Sequence, residues 1–198
     1  EEEEIFMAKN ENTSQGRDYF TALYSVARTV NASLDSGRVL ERIVEAVIET
    51  VGVKACSIRL LSARGESLDL VTSAGLSAEY LRKGPVLLEE SGIDRDVLSG
   101  KTAWIPDVRK DSGFQYPARA EKEGILSVLA LPLLVEGKAV GVLRVYAGEV
   151  RKFPDSDIRF LEAVSSLSAI AIENARLHEA LKRRCDLMAE HKNRIDDN

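Results

Sequence analysis

Residues 124–146 decide the fold, and they read GILSVLALPLLVEGKAVGVLRVY. Two apolar runs, 126–135 and 139–146, flank the pair Glu136-Gly137. Glycine readily supplies the positive φ that a two-residue hairpin turn requires. The stretch is therefore predicted to form a β-hairpin.

The turn also predicts how the two strands pair and where the hairpin lies. If Val135 faces Lys138, the antiparallel ladder continues through three further pairs: Leu133 with Val140, Leu131 with Val142, and Leu129 with Arg144. Both faces of the hairpin are mostly apolar, so neither face is expected to meet water. The hairpin is predicted to form the middle layer of the domain.

Length and composition predict one domain with helical extensions, since the chain has 198 residues of which 44% are hydrophobic. The net charge of −5 and the pI of about 5.3 argue against nucleic-acid and anionic-membrane partners, because both need a concentrated basic face. No stretch reaches the ~18 uninterrupted apolar residues of a membrane helix, so no membrane association is expected.

Cysteine usage and the N-terminus favour a cytoplasmic protein. Cys56 lies in an apolar run and Cys185 in a polar one, which does not fit a disulfide framework. No metal-ligand spacing is visible. The first four residues are glutamates rather than a basic segment followed by an apolar one, so no signal peptide is expected.

The N-terminal part is predicted to be helical after a flexible acidic tail over residues 1–16. A helix over 17–34 carries apolar residues at spacings of three and four, a narrow stripe typical of a coiled coil: Phe20, Leu23, Ala27, Val30 and Leu34. A second helix, capped by Asp35 or Ser36 and ended by Gly52, has a wider apolar stripe and is expected to face the core.

Strand patterns follow at 55–61 and 67–73, joined by a three-residue loop that would set Arg59 opposite Asp69. Residues 84–124 are irregular, with a short helix ending at Leu98 and an edge strand over 102–108. A short helix over 77–83 precedes them. Residues 111–123 have no clear period and are expected to form a loop or a short helix.

The last helix, with Asp155 as its predicted cap, carries a second stripe of heptad spacing. The stripe consists of Leu167, Ile170, Asn174, Leu177 and Leu181. A polar residue such as Asn174 on such a stripe fixes the register between paired helices. The order of elements predicts an α+β fold: an antiparallel sheet with helices on one face and the irregular segment on the other.

Several motifs together resemble a GAF domain, a small-molecule sensor related to the PAS fold. They are Leu34-Asp35 before the helix 39–51, residues 55–61, Thr72-Ser73-Ala74-Gly75-Leu76, Leu131-Pro132-Leu133 with Gly141-Val142-Leu143, and Phe153-Pro154-x-x-Asp157 leading to residues 169–177. The resemblance implies a GAF domain over 35–177, with a sheet of about five to six strands. It leaves 17–34 as a signalling or dimerisation helix and 178–198 as a helical extension.

The ligand signatures of known GAF subfamilies are missing, so no cofactor is expected. Phe153 and Asp157 match the spacing of the cyclic-nucleotide pattern, but Ile158 replaces its glutamate, and both are better interpreted as helix-start residues. Residues 57–184 hold no cysteine for a bilin, and His178 and His191 lie on the last helix, away from a haem pocket. One strand cysteine cannot replace the cysteine cluster of GAF-type methionine sulfoxide reductases.

Arg59 and Arg144 are the charged candidates for a ligand site, because their sequence neighbours are apolar and buried charges need partners. The structural interpretation pairs Arg59 with Asp69 and Arg144 with a helix carboxylate. The functional hypothesis is that one of the two arginines binds a carboxylate or phosphate of a small ligand. Both interpretations stay open.

Four aromatic residues gather in or beside the irregular segment: Trp104, Phe114, Tyr116 and Tyr146. They could stack on a planar ligand or fill the core, and core filling is the simpler interpretation. His178-Glu179 is similar to the phosphoaccepting pair of histidine kinases, but no ATP-binding glycine motif accompanies it.

The favoured hypothesis is a non-catalytic sensor that binds an unknown small molecule and signals through its terminal helices in a homodimer. The alternative is a dimerisation scaffold without a physiological ligand, within a larger kinase, cyclase or transcription regulator. An enzyme is not expected, because the pocket segment has no histidine or cysteine and no nucleophile and base pair is visible.

Overall fold

The computed structural model describes residues 18–32 and 35–196, with side chains as far as 188. The predicted tail over 1–16, Leu34 and His191 lie outside the part that can be described in full. The elements are α1 (18–32), α2 (Ser36–Val51), β1 (Ala55–Leu61), β2 (Ser67–Ala74), α3 (Ala78–Leu81), β3 (Val86–Leu87), α4 (Gly92–Leu98), β4 (Ala103–Ile105), α5 (Pro117–Glu123), β5 (Ser127–Val135), β6 (Lys138–Ala147) and α6 (Asp155–Asp196).

The six strands form one antiparallel sheet in the order β3-β2-β1-β6-β5-β4. The hairpin β5–β6 and β1 form its middle, as the apolar character of residues 124–146 predicted. Helices α1, α2 and α6 share a core on one face, here called the helix face. The segment with α3, α4 and α5 covers the other face, here called the pocket face. The predicted α+β fold is confirmed.

The helix-face core forms because α2 presents a wide aliphatic stripe to the sheet. Asp35 caps α2 by accepting a hydrogen bond from the Arg38 backbone N–H at 3.3 Å, and Gly52 ends it with φ of 66°. Ile43 and Val47 are fully buried against sheet residues such as Leu143. Burying such side chains stabilises the fold by about 1.5–3 kcal/mol each.

The hairpin turn forms as predicted, but the strand register beyond it was wrong. Glu136 and Gly137 both have positive φ, as a two-residue turn of this hand requires, and Val135 faces Lys138. A β-bulge then leaves Val140 without a partner, so that Leu133 faces Gly141. Every later pair moves by one residue, and Arg144 faces Ala130 instead of Leu129.

The loop between β1 and β2 overturns the predicted pairing of Arg59 with Asp69. The Ser62 backbone N–H donates to the Ser67 carbonyl oxygen, so the loop has four residues instead of three, which places Arg59 opposite Leu70 and Asp69 opposite Leu60. Asp69 is exposed, and its carboxylate accepts a hydrogen bond from Ser67 Oγ at 3.4 Å. A β-bulge between Ile58 and Arg59 then moves only the pairs further from the loop, starting with Ile58 opposite Thr72.

Helix α1 packs on the domain through a face that only partly coincides with the predicted stripe. Tyr19, Val26 and Val30 are buried, and the Tyr19 ring stacks on Phe160 of α6 at 4.9 Å between centroids. Phe20, which belongs to the predicted stripe, is 71% exposed.

The start of α6 differs from the prediction by one position, because Asp155 is the first residue of the helix rather than its cap. Among the described residues, no helix combines the length and the apolar composition needed to cross a membrane.

Candidate functional site

Two central strands place a row of polar residues on the pocket face. Along β1, Ile58 packs into the helix-face core, so the alternation of a strand turns Ser57 and Arg59 to the opposite face. Along β6, Leu143 and Val145 face the helices, and Arg144 faces the pocket side. Ser57 pairs with Arg144 in the ladder, so the two arginines are diagonal neighbours on one face.

Arg144 is fully paired by a carboxylate from α4. Its Nε donates to Asp94 Oδ1 at 3.0 Å and its Nη2 donates to Asp94 Oδ2, and the side chains of both residues are at least 98% buried. Ser91 Oγ donates to the same carboxylate at 2.6 Å. Burial opposes the charged form of Arg144, but the charge and hydrogen bond of Asp94 together with Tyr146 and Tyr80 outweigh it and raise the pKa of the guanidinium. The predicted helix carboxylate for Arg144 is therefore present.

Arg59 has no such partner. It is only 3% exposed, its Nη1 donates to the Leu68 carbonyl oxygen at 3.3 Å, and its Nε has no hydrogen-bond partner. No carboxylate among the described residues lies within ion-pair distance of it. A buried cation without a counter-ion costs free energy, so this position stands out from the rest of the sheet.

Tyrosine hydroxyls and a lysine surround the two arginines. Tyr146 is fully buried, its OH lies 3.0 Å from Ser57 Oγ, and its ring meets Tyr80 edge to face at 6.4 Å. Lys83 Nζ lies 3.9 Å from the Tyr80 ring centroid and donates to Tyr80 OH at 2.8 Å. Burial, followed by the charges of Arg144 and Arg59, lowers the pKa of Lys83 to about 6.

Polar contacts at the surface hold the cover of this cluster in place. Helix α3 is joined to α5 by Ser77, which donates through N and Oγ to Glu123 at 2.7 and 2.5 Å, and by Lys122, which donates to Glu79 at 2.5 Å. These contacts are exposed to solvent, where such interactions are weak. They therefore add little to the burial of Tyr80 and Ala120, which holds the cover on the sheet.

The predicted aromatic residues divide between the two faces. Phe114 and Tyr146 lie in the pocket-face core, and Tyr116 beside it donates from its OH to the Pro85 carbonyl oxygen at 2.9 Å. Trp104 does not join them: it is 41% exposed, and its Nε1 donates to the Arg151 carbonyl oxygen at 3.1 Å.

Sequence reasoning missed three members of the cluster, namely Tyr80, Lys83 and Asp94. Asp94 had a recognisable signal, because it is an acidic residue in the first turn of a short predicted helix that also carries Ile93 and Val97. Tyr80 and Lys83 had no such signal, because a tyrosine and a lysine three residues apart also fit an exposed helix.

The helix face holds one buried polar network where the terminal helices meet. Asp157 is 1% exposed, accepts a hydrogen bond from Tyr19 OH at 2.6 Å, and pairs with Arg151 Nη2 at 2.9 Å. Arg151 also donates to the carbonyl oxygens of Val51 and Gly52 at the end of α2. The network thus joins α1, α2 and α6.

The stripe predicted on α6 lies mostly on the surface of the single chain. Ile170, Leu177 and Leu181 are 49%, 55% and 61% exposed, Asn174 is exposed, and Leu167 packs partly on the helix-face core. On α1, Leu23 and Ala27 are half-buried. A groove of about 290 Å³ between α1, α2 and α6 includes Val30, Asn174, Leu177 and Leu181 in its lining.

Comparison with known families identifies the fold described above. The family model described as "GAF domain" matches residues 33–173, which is more than half of the chain. The chain belongs to the GAF domain family. No curated protein is significantly similar to it in sequence.

Solved structures share this GAF fold at low sequence identity. The GAF domain of a phosphoenolpyruvate-protein phosphotransferase from Coxiella burnetii is 19% identical, with a TM-score of 0.74 over 83% of this chain and 98% of that one. A free methionine-R-sulfoxide reductase from Neisseria meningitidis, solved with its substrate, is 18% identical, with a TM-score of 0.69 over 81% and 91%. A domain of a two-component sensor histidine kinase, described as putative, from Sinorhizobium meliloti is 20% identical, with a TM-score of 0.62 over 73% and 95%.

Proposed function

We propose that this GAF domain is a non-catalytic sensor that binds a small molecule on the pocket face and signals through its terminal helices in a homodimer. GAF domains are sensory and regulatory domains of larger signalling proteins. The observation that carries the proposal is the buried charged cluster under the cover of α3 and α5, with Arg59 left unpaired. Strained or uncompensated groups of this kind tend to occur where a protein binds something.

The Asp157 network supports transmission from the domain to the helices. Arg151, which pairs with Asp157, accepts a hydrogen bond at its carbonyl oxygen from Trp104 on the edge strand β4. Ile105 of that strand lies in the pocket-face core, so a shift of the pocket segment has a direct connection to the start of α6. Tyr19 carries the same connection to α1.

The exposed stripe on α6 supports a homodimer. Helix α6 has 42 residues, and at about 1.5 Å per residue its axis is about 63 Å long. Ile170, Asn174, Leu177 and Leu181 follow heptad spacing along its exposed side. The same stripe on a second copy is its natural partner, because a heptad stripe buries itself best against an identical one in a parallel coiled coil.

The position of Cys56 supports a non-catalytic function. Its side chain lies in the helix-face core rather than toward the pocket, and burial raises the pKa of its thiol. The thiolate is the reactive form, so this residue is a poor nucleophile. The methionine sulfoxide reductase of similar fold makes an assay for that activity worthwhile, and no turnover is expected.

The cytoplasmic location stays a prediction.

Light scattering on matched variants tests the homodimer. We expect the wild type to be a dimer at tens of micromolar, roughly, and Leu181→Glu to be a monomer, because the substitution puts a charge on the stripe. Leu187→Glu is the matched control: Leu187 is also 61% exposed but lies off the stripe, so this variant should remain a dimer. A monomeric wild type would contradict the proposal.

Ligand binding separates the sensor from the alternative, a scaffold without a physiological ligand. Tyr80 and Tyr146 fill much of the pocket face, which favours the scaffold if nothing displaces them. Mass spectrometry of small molecules released from the purified protein is expected to find a bound compound. A protein that releases none and is stabilised by no compound in a metabolite screen would be a scaffold.

A further inference from the structure

Arg59 is a buried cation whose charge the described part of the chain does not balance. Its Nε is without a hydrogen-bond partner and the side chain is 3% exposed, whereas Asp69 is exposed and faces Leu60 in the ladder. The carboxylate of Asp94 is occupied by Arg144 and Ser91. The cluster therefore holds two guanidinium charges against one carboxylate.

A pair of buried hydroxyls lies on the same face as Arg59. Ser57 Oγ and Tyr146 OH lie 3.0 Å apart, and only one of these hydroxyls can donate to the other. The second O–H therefore has a proton to donate elsewhere on the pocket face. Together with Arg59 Nε, this leaves two buried donors that an added acceptor would satisfy.

The charge of the cluster at neutral pH matches a single negative charge. Asp94 compensates Arg144, and Arg59 remains. Lys83 adds little charge at neutral pH, because burial and the charges of Arg144 and Arg59 lower its pKa to about 6. One carboxylate would neutralise the site, and its two oxygens can accept from a guanidinium through two parallel hydrogen bonds.

We propose that Arg59 anchors the carboxylate group of a small molecule on the pocket face, between β1 and the cover that carries Tyr80 and Lys83. The proposal rests on the proposed function, that the domain binds a small molecule there, and it names the chemical class of that molecule. Tyr80, Tyr116 and Tyr146 supply aromatic walls for the remainder of the ligand.

The ligand reaches Arg59 when the cover opens. Strand β3, which follows α3, is only two residues long and pairs with β2 at the edge of the sheet. Gly75 and Gly84, on either side of α3, have positive φ, a conformation that other residues rarely adopt. The polar contacts of α3 with α5 are exposed and weak, so the main cost of opening is that Tyr80 leaves the pocket-face core, where the apolar part of the ligand takes its place.

Thermal unfolding with matched ligand pairs tests the carboxylate. The probes are acetate, succinate and benzoate, each compared at millimolar concentration with its primary amide, together with inorganic phosphate. We expect at least one carboxylate to raise the melting temperature of the wild type while its amide does not. Arg59→Met should abolish the shift, whereas Arg64→Met, at an exposed arginine in the β1–β2 loop, should keep it.

The outcomes separate this inference from the proposed function. If amides or phosphate stabilise the wild type and Arg59→Met binds them equally well, a ligand site exists but the carboxylate assignment is wrong. If no probe and no metabolite stabilises the protein, the carboxylate assignment and the proposed ligand-binding function are both wrong. If Arg59→Met does not fold, Arg59→Lys takes its place: it keeps the charge but loses the two-point geometry, and we expect at least tenfold weaker carboxylate binding by calorimetry.

Discussion

The two faces of the sheet are buried by different kinds of interaction. The helix face is aliphatic, with Ile43, Leu143 and Leu161 fully buried, and such contacts are non-directional and tolerate repacking. The pocket face buries Arg59, Arg144 and other polar groups, each of which needs a specific partner. The helix face therefore stabilises the domain, and the pocket face gives up stability to hold charges that a ligand could use.

Within the pocket face, Arg144 and Arg59 differ in whether a partner balances their charge. Arg144 and Arg59 lie on adjacent strands, point the same way and are both nearly inaccessible to solvent. Arg144 has a carboxylate, whereas Arg59 has one carbonyl oxygen and an unpaired Nε. Identical side chains in nearly identical positions are thus expected to respond oppositely to substitution.

The largest effect is expected when Arg144 loses its charge. Arg144→Met leaves Asp94 buried without its counter-ion, which should lower the free energy of unfolding by about 3–5 kcal/mol. Arg59→Met removes an uncompensated cation and should leave stability unchanged or higher. Urea unfolding of the two variants measures the difference. Equal destabilisation would mean that Arg59 has a structural partner after all.

The next effect concerns the polar network around Asp157 on the helix face. Asp157→Ala removes the acceptor of Tyr19 OH and the partner of Arg151, and should lower the free energy of unfolding by about 2–3 kcal/mol. Asp155→Ala, at an exposed position in the same helical turn, is the control and should cost less than 1 kcal/mol, roughly. Similar losses would show that the helix face does not depend on this network.

A smaller effect is expected where the two central strands approach most closely. A Cβ at Gly141 would lie 2.3 Å from the Arg59 carbonyl oxygen, so Gly141→Ala should cost about 1–3 kcal/mol by forcing β6 away from β1. Gly113→Ala, whose nearest atom would be 3.5 Å away, is the matched control. Chemical denaturation of both variants measures the cost, and no difference between them would contradict the close approach.

The last prediction concerns the pH dependence of stability that Lys83 produces. Its pKa falls from an ordinary value of 10.5 to about 6 in the fold, so between about pH 6 and 8 the unfolded chain binds more protons there than the folded protein. The free energy of unfolding should therefore rise with pH in this window for the wild type and for Lys101→Met, and less for Lys83→Met. Parallel pH profiles for all three would exclude the lowered pKa.

The sequence predicted the fold well because its signals are local and redundant. The turn at Glu136-Gly137, the cap at Asp35 and the end at Gly52 each fix an element independently of the rest. Register was harder, since the length of the β1–β2 loop and the bulge at Val140 depend on contacts between strands that no periodicity reveals.

The candidate site was predictable only in part for the same reason. Arg59 and Arg144 were recognisable as charges within apolar strands, and their common face follows from strand alternation once the register is known. The partner of Arg144 comes from residue 94 and that of Tyr146 from residue 57, far away along the chain. Trp104 was wrongly assigned to the pocket. Its edge strand was predicted, but the sequence did not show to which face of the sheet the side chain points.

The bulge at Val140 gives the hairpin one position at which its chain length can change. Val140 is the extra residue between the pairs Leu134–Ala139 and Leu133–Gly141, so its deletion leaves a regular ladder in which every other residue keeps its partner and its face. Deletion of a paired residue elsewhere in β6 has the opposite result, because the residues beyond it move by one place and exchange faces. Removal of Val140 is therefore expected to keep Arg144 on the pocket face, whereas removal of Val142 turns the strand over.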